Sequence, residues 1–200
     1  MTAAEAAKQL GDEERSYIGS AFKIAVDFVH ARGKTSAVKA RVSPETAKLL
    51  DKPPFVFSWM SPKAMDELQT AIVAVEGREA CVELGLTAGR KLGGSMIAPV
   101  LRMATSLFGN TPATVFENLE RFYSMVLKGM KFAYESTGPK GGVVLVTATG
   151  PDVPAALFDV TRGNLSYVFE LCGVAGTVEQ PDRLRIDERG GEARYKVRWG

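Results

Sequence analysis

The densest set of charged side chains lies at the end of the chain. Arg183 and Arg185, then Arg194, Lys196 and Arg198, alternate with Leu184, Ile186, Tyr195, Val197 and Trp199. Strand alternation sends the two sets to opposite faces, so five cations share one outward face that could hold an anionic partner. A solvated sheet face or a guarded edge looks the same, and Asp182, Asp187, Glu188 and Glu192 can neutralise part of it. Other reactive groups are sparse. His30, the only histidine, follows an apolar helical face and precedes Gly33, a position suited to the negative end of a helix dipole. One histidine excludes multi-histidine metal sites. Cys81 and Cys172 are flanked by apolar residues and read as buried, inert thiols. Glu117, Glu120 and Asp159 are scattered on helices, as on solvated faces. No nucleophile–base–acid arrangement can be assembled, so no catalytic residue is assigned.

Two glycine patterns imitate nucleotide sites without meeting their requirements. Gly138 to Gly142 encloses Lys140 but lacks the G-x-x-x-x-G-K-[ST] spacing and a following helix. Gly85, Gly89 and Gly93, with Gly77 and Cys81 before them, recur at steps of four within a helical pattern. Glycine inside a helix costs roughly 0.8–1.0 kcal/mol relative to alanine, so the ridge needs a compensating close approach of another backbone. An intramolecular crossing is the favoured use, a dimer seam or a ligand groove the alternatives. Aromatic and methionine side chains offer the material for an apolar pocket: Trp59, Met96, Met103, Phe116, Phe122, Phe158 and Phe169.

The elements that must position these residues are legible from periodicity. Residues 1–16 are Ala/Glu/Lys-rich and read as a loose tail ahead of a single domain over 17–200. Ile18, Phe22, Ala25, Val26 and Val29 mark a helix ending near Gly33. Ser43-Pro44 opens a second over 43–50, and Ser61-Pro62 another with Met65, Leu68, Ile72 and Val75 inward. Phe55, Phe57 and Trp59 suggest an extended, partly buried connection between them. A long helix is expected from Arg78 to Met103, kinked or ended by Pro99, and another from Thr111 to about Met130. Beyond 131 the pattern changes to a hairpin with a five-residue loop at Gly138–Gly142 and a strand over Val143–Thr149. A helix over 153–172 follows, then a second hairpin turning at Gly190–Gly191. The order predicts an α+β fold: an N-terminal helical layer (17–130) packed on a C-terminal antiparallel sheet of two hairpins with an intervening helix (131–200).

Composition sets outer bounds. The chain has 200 residues, 46% hydrophobic and 24% charged, with a net charge of +2. That suits a globular domain and is too mild a charge to imply nucleic acid. Two cysteines exclude a disulfide scaffold. No apolar run approaches the roughly 18 residues of a membrane span, and no secretory signal opens the sequence, so the expected compartment is the cytoplasm.

Several segments together resemble a known family. Gly19 to Phe22, Phe28 to Gly33, Ser58-Trp59-Met60-Ser61-Pro62, Glu83-Leu84-Gly85 to Arg90, and Ala193 to Trp199 are similar to an uncharacterised family abundant in myxobacteria, itself similar to the 4-vinyl reductase domain. The resemblance covers Tyr17 to Trp199. It implies the fold shared by H-NOX domains, TRAPP subunits and 4-vinyl reductase domains, whose members enclose a haem, a lipid chain or an aromatic effector, and several of which dimerise. The H-NOX pattern of a proximal histidine with a downstream Tyr-x-Ser-x-Arg does not occur: Tyr123-Ser124-Met125-Val126-Leu127 departs from it, and His30 lies too early. The C-terminal zinc cysteines of many 4-vinyl reductase domains do not occur either. No haem, zinc or other cofactor is therefore expected. The sequence points to a non-enzymatic sensory or adaptor module, a homodimer that binds an apolar small molecule or a protein partner. The alternative is a nucleic-acid or nucleotide-binding regulator working through the cationic hairpin face.

Overall fold

The computed structural model describes residues 14–94 and 110–200. A short strand β1 (Ser16–Ile18) leads directly into α1 (Gly19–Ala31), and is flanked by β2 (Trp59–Met60) and β3 (Leu127–Lys128) in a small antiparallel sheet. Between β1 and β2 lie α2 (Thr35–Lys39) and α3 (Pro44–Asp51). The start of α3 follows the expected chemistry: Ser43 Oγ accepts from the Thr46 amide at 3.3 Å with Pro44 in the first turn. α4 (Pro62–Glu76) and α5 (Arg78–Leu92) are separated by Gly77, whose φ of 85° lies in the left-handed region.

The fold begins two residues before the boundary expected at 17. Arg15 is buried, its guanidinium clamped on both oxygens of Asp66 at 2.7 and 3.0 Å, and Ser16 already pairs with Lys128. The aromatic connection is also corrected. Phe55, Phe57 and Trp59 are 71, 63 and 42% exposed. It is their backbone that docks, because Gly19 lets the Phe55 carbonyl approach: a Cβ there would lie 2.2 Å from that oxygen. The amides of Gly19 and Ser20 then donate to Ser58 O and Val56 O, leaving the rings outside.

The helix expected over 111–130 is two short helices, α6 (Pro112–Glu117) and α7 (Leu119–Tyr123), broken at Asn118. The chain is already extended at Leu127, because β3 is needed to close the small sheet around β1. α5 ends at Leu92, with Gly93 and Gly94 continuing as a wider helical turn; residues 95–103 of the expected helix, including Pro99, fall outside the described residues.

Strands β4 (Met130–Gly138), β5 (Gly141–Thr149), β6 (Gly176–Val178), β7 (Arg183–Asp187) and β8 (Gly190–Trp199) form the larger antiparallel sheet, in the order β4-β5-β8-β6 with β7 also on β8. Both glycine-rich turns are tighter than expected. Gly138, Gly141 and Gly142 belong to the strands, leaving Pro139-Lys140 as the turn, and Gly190 and Gly191 belong to β8, leaving Glu188-Arg189. Gly191 has a packing reason to be glycine: a Cβ there would meet the Phe158 ring at 2.7 Å.

α8 (Ala155–Cys172) lies between this sheet and the other helices. Tyr195 on β8 is fully buried and its hydroxyl donates to the Phe158 carbonyl at 2.7 Å, tying helix to sheet. The opposite side of α8 runs parallel to α5 at backbone contact. Gly85 faces Val160 and Asn164, Gly163 faces Val82 and Leu86, and Gly89 and Gly93 face the Tyr167 ring. One hydrophobic core cluster spans both parts of the chain, from Tyr17 to Val197.

Candidate functional site

An apolar cavity of about 110 Å³ lies within the helical layer. α1 contributes Ala21 and Ala25, α4 Met65 and Gln69, and α5 Leu84, Ala88, Gly89 and Leu92. Leu119, Phe122 and Tyr123 of α7 and Val160, Asn164, Tyr167, Val168 and Leu171 of α8 close it, with Tyr17, Val115, Val126 and Leu127. The space exists because Ala21, Ala25 and Ala88 carry little side chain where helices of ordinary packing would place Leu or Ile.

The expected pocket residues are distributed differently. Of Trp59, Met96, Met103, Phe116, Phe122, Phe158 and Phe169, Phe122 alone is among the described lining residues. Phe116 and Phe169 form an aromatic group with Trp199 and Tyr134, centroids 5.6–6.4 Å apart, on the sheet side of α8. Phe158 packs on Gly191. Trp59 is half out in solvent with the Lys128 ammonium 4.8 Å from its ring centroid. Met96 and Met103 lie outside the described residues. The cavity thus sits between helices, and no strand of the larger sheet lines it. An amphipathic period marks a side chain as inward but does not say which side of α8 it reaches.

Two polar atoms in this apolar wall make no hydrogen bond of good geometry among the described residues: the Tyr17 hydroxyl and Gln69 Oε1. Tyr17 is 5% and Gln69 2% exposed. The neighbouring Arg15 guanidinium donates to Thr149 O and both Asp66 oxygens, and its remaining N–H groups and charge also bear on the Tyr17 phenol. Burial, then the Asp66 charge, raises the Tyr17 phenol above its ordinary value, with Arg15 opposing. Burial likewise raises Tyr123 and Tyr167. All three phenols facing the cavity are thereby held protonated. Sequence reasoning did not select Gln69, although it falls on the inward phase set by Met65 and Ile72.

The other candidates are placed plainly. His30 is exposed in the last turn of α1 and outside the cavity wall. Cys81 is fully buried, its thiol donating to Gln69 O at 3.4 Å, and burial pushes it up to about 12. Cys172 is half-buried and pushed up to about 11 by the same cause. Asp159, expected on a solvated face, is buried and accepts both Arg78 hydrogen bonds at 2.8 and 2.9 Å. That ion pair, with Arg162–Glu79 and Arg90–Glu170, brackets the α5–α8 crossing.

On the terminal hairpin, the five cations do share a face, since Arg183 opposes Arg194 and Arg185 opposes Glu192. Carboxylates answer most of them. Asp182 reaches Arg194 and Lys196 at 3.8 and 3.5 Å, Asp187 reaches Arg185 at 2.8 Å, and Glu179 reaches Arg198 at 3.5 Å. On the opposite face Tyr195 and Val197 are buried, whereas Leu184 and Ile186 remain 40% exposed.

No protein-family model matches the chain, and no curated protein matches it by sequence. Solved structures do match it by shape. An Fe(II) unliganded H-NOX protein from K. algicida aligns with a TM-score of 0.66 at 11% identity, over 92% of this chain and 96% of that one. An oxygen-binding H-NOX domain related to soluble guanylate cyclases, in its oxygen complex, aligns at 0.60 and 9%, covering 90% and 94%. A structure solved to probe haem distortion in the H-NOX family aligns at 0.57 and 10%, covering 90% and 94%.

The residues described here do not fit a haem. The cavity falls below the roughly 300 Å³ at which ligand pockets of ordinary size begin. No imidazole or thiol is among its described lining residues. The chain has the α+β fold of H-NOX domains, with an apolar cavity between its helices that is lined by other chemistry.

Proposed function

We propose that this chain is a non-enzymatic sensory module whose inter-helical cavity binds a compact apolar molecule. The observation that carries it is the cavity itself: about 110 Å³ bounded by Ala, Gly, Leu, Val and aromatic side chains. An engineered apolar cavity of about 150 Å³ stays dry and takes up benzene or xenon, which sets the scale of ligand. The H-NOX-like fold supports the reading, since the oxygen-binding domain it resembles in shape holds a small molecule. Binding would be read out through the α5–α8 crossing, because Gly89, Ala88, Tyr167 and Val168 line the cavity and belong to those helices. Kinship with the 4-vinyl reductase domain, assembly as a homodimer and a cytoplasmic setting are part of the same proposal.

The test is ligand-dependent stability. Anything that binds only the folded state raises the unfolding temperature in proportion to its occupancy. Toluene is expected to raise the Tm of the wild-type chain and to leave Ala25→Phe, which fills the cavity, unchanged. A wild-type Tm indifferent to toluene, together with no small molecule recovered by solvent extraction of the purified protein, would overturn the proposal. The cationic hairpin face gains no comparable support, because four of its five cations are answered by Asp182, Asp187 and Glu179.

A further inference from the structure

A cavity that merely took up hydrocarbon would need no polar atoms, yet this one presents two. Gln69 Oε1 and the Tyr17 hydroxyl are buried, line the cavity and make no hydrogen bond of good geometry among the described residues, Arg15 being the one donor near Tyr17. Buried polar atoms in folded proteins are almost always hydrogen-bonded, so each orphan calls for a partner. Neither is a by-product of the local backbone. Gln69 stands in the middle of α4 among Met65, Leu68 and Ile72, a position where Leu or Met would pack without penalty. Tyr17 stands on β1, where Phe would fill the same volume.

We propose that Gln69 and Tyr17 form a hydrogen-bonding post that selects a compact aromatic alcohol, a phenol, over a hydrocarbon of the same shape. A hydroxyl is the group whose chemistry complements an acceptor and a donor together. It donates to Gln69 Oε1 and accepts from the Tyr17 O–H. Tyr17 is competent to donate because burial and the Asp66 charge keep its phenol protonated. A carboxylate or ammonium is disfavoured, since no charged residue is among the described lining residues and a lone ion in an apolar cavity is strongly penalised. The ring is accommodated by Phe122, Tyr123 and Tyr167, and its size is capped by the cavity volume. Selectivity then resides in two residues, and affinity in the apolar wall.

The inference rests on the cavity being a ligand site, so the experiment separates the two. Phenol and toluene, matched in heavy-atom number, are titrated calorimetrically into the full chain, Gln69→Leu and Tyr17→Phe. In the wild type both probes are expected to bind. In Gln69→Leu the phenol-to-toluene affinity ratio should fall about tenfold, the scale of one lost hydrogen bond to a buried partner. Tyr17→Phe should lower it in the same direction, which keeps the test decisive should Gln69→Leu fail to fold. Toluene binding should persist in both variants. A ratio unchanged by either substitution overturns the selecting post while leaving the cavity as an apolar site. Failure of both probes to bind the wild type overturns the cavity reading itself.

Discussion

Gly85 on α5 and Gly163 on α8 interlock reciprocally: a Cβ on either would lie 1.9 Å from a carbonyl oxygen of the other helix, Val160 O for Gly85 and Val82 O for Gly163. The two helices therefore meet backbone to backbone, closer than side chains would allow. The conformational cost of glycine within each helix is offset by that contact. Gly89, one turn on, lies beside the Tyr167 ring at the cavity wall, so the crossing and the cavity are one structural unit.

Substitution at the crossing should separate the helices. Gly163→Ala gains roughly 1 kcal/mol of helix propensity but forces an overlap of the kind that costs about 1–3 kcal/mol or more. The net expectation is a lower Tm, by a few degrees per kcal/mol for a chain of this size. Thermal unfolding followed by circular dichroism checks it; a Tm equal to or above wild type would contradict the interlock.

The ion pairs bracketing the crossing should differ in weight. Removing Arg78 leaves the Asp159 carboxylate, 4% exposed, without its two charge-assisted hydrogen bonds, whereas Glu170 is 42% exposed and rehydrates when Arg90 is lost. Arg78→Ala is expected to cost about 2 kcal/mol and Arg90→Ala no more than about 1 kcal/mol. Urea denaturation of the two variants side by side gives the ranking, and equal losses would refute it.

Acid should release the Arg90–Glu170 contact. The Arg90 hydrogen bond holds the Glu170 carboxyl below its ordinary 4.5. A folded-state value below the unfolded one contributes stability that is present above pH 4.5 and lost as pH falls through the folded value. Between pH 5 and 3 the wild type should lose stability more steeply than Arg90→Gln. Parallel pH profiles for the two proteins would exclude a contribution from this pair.

Thiol reactivity should follow burial. With Cys81 pushed up to about 12 and Cys172 to about 11, neither is a thiolate near neutral pH. Ellman's reagent at pH 8 is expected to modify Cys172 slowly and Cys81 only after denaturation. Fast labelling of Cys81 in the native protein would show that the α4–α5 interface opens.

Local chemistry was largely legible from the residues. Ser43 and Thr111 cap their helices through the side-chain oxygens that their position before proline suggests. The run Val143–Thr149 is the central strand β5, and the parity of Arg183, Arg194 and their neighbours is that of the paired strands. The site was much less legible. Phe116, Phe158 and Phe169 have the same apolar character as Phe122, yet α8 divides them between two packing surfaces. Gln69 could have been found as the polar residue on an otherwise apolar helical phase; Tyr17 could not, because its orphan status exists only relative to Arg15 and Asp66.

Apart from α2, the short strands β1, β2, β3 and β6 and the break at Asn118, the sequence by itself determined which segments are helix or strand, and that the glycines of α5 require a close neighbour. These follow from forces acting within a few residues: propensity, capping and period. Only the tertiary structure decided that the neighbour is α8, that Asp159 is buried rather than solvated, and that the cavity opens between helices instead of over the sheet. Those outcomes depend on which surfaces meet, and contacts between residues eighty or more positions apart are set by the packing of the whole chain rather than by any local pattern.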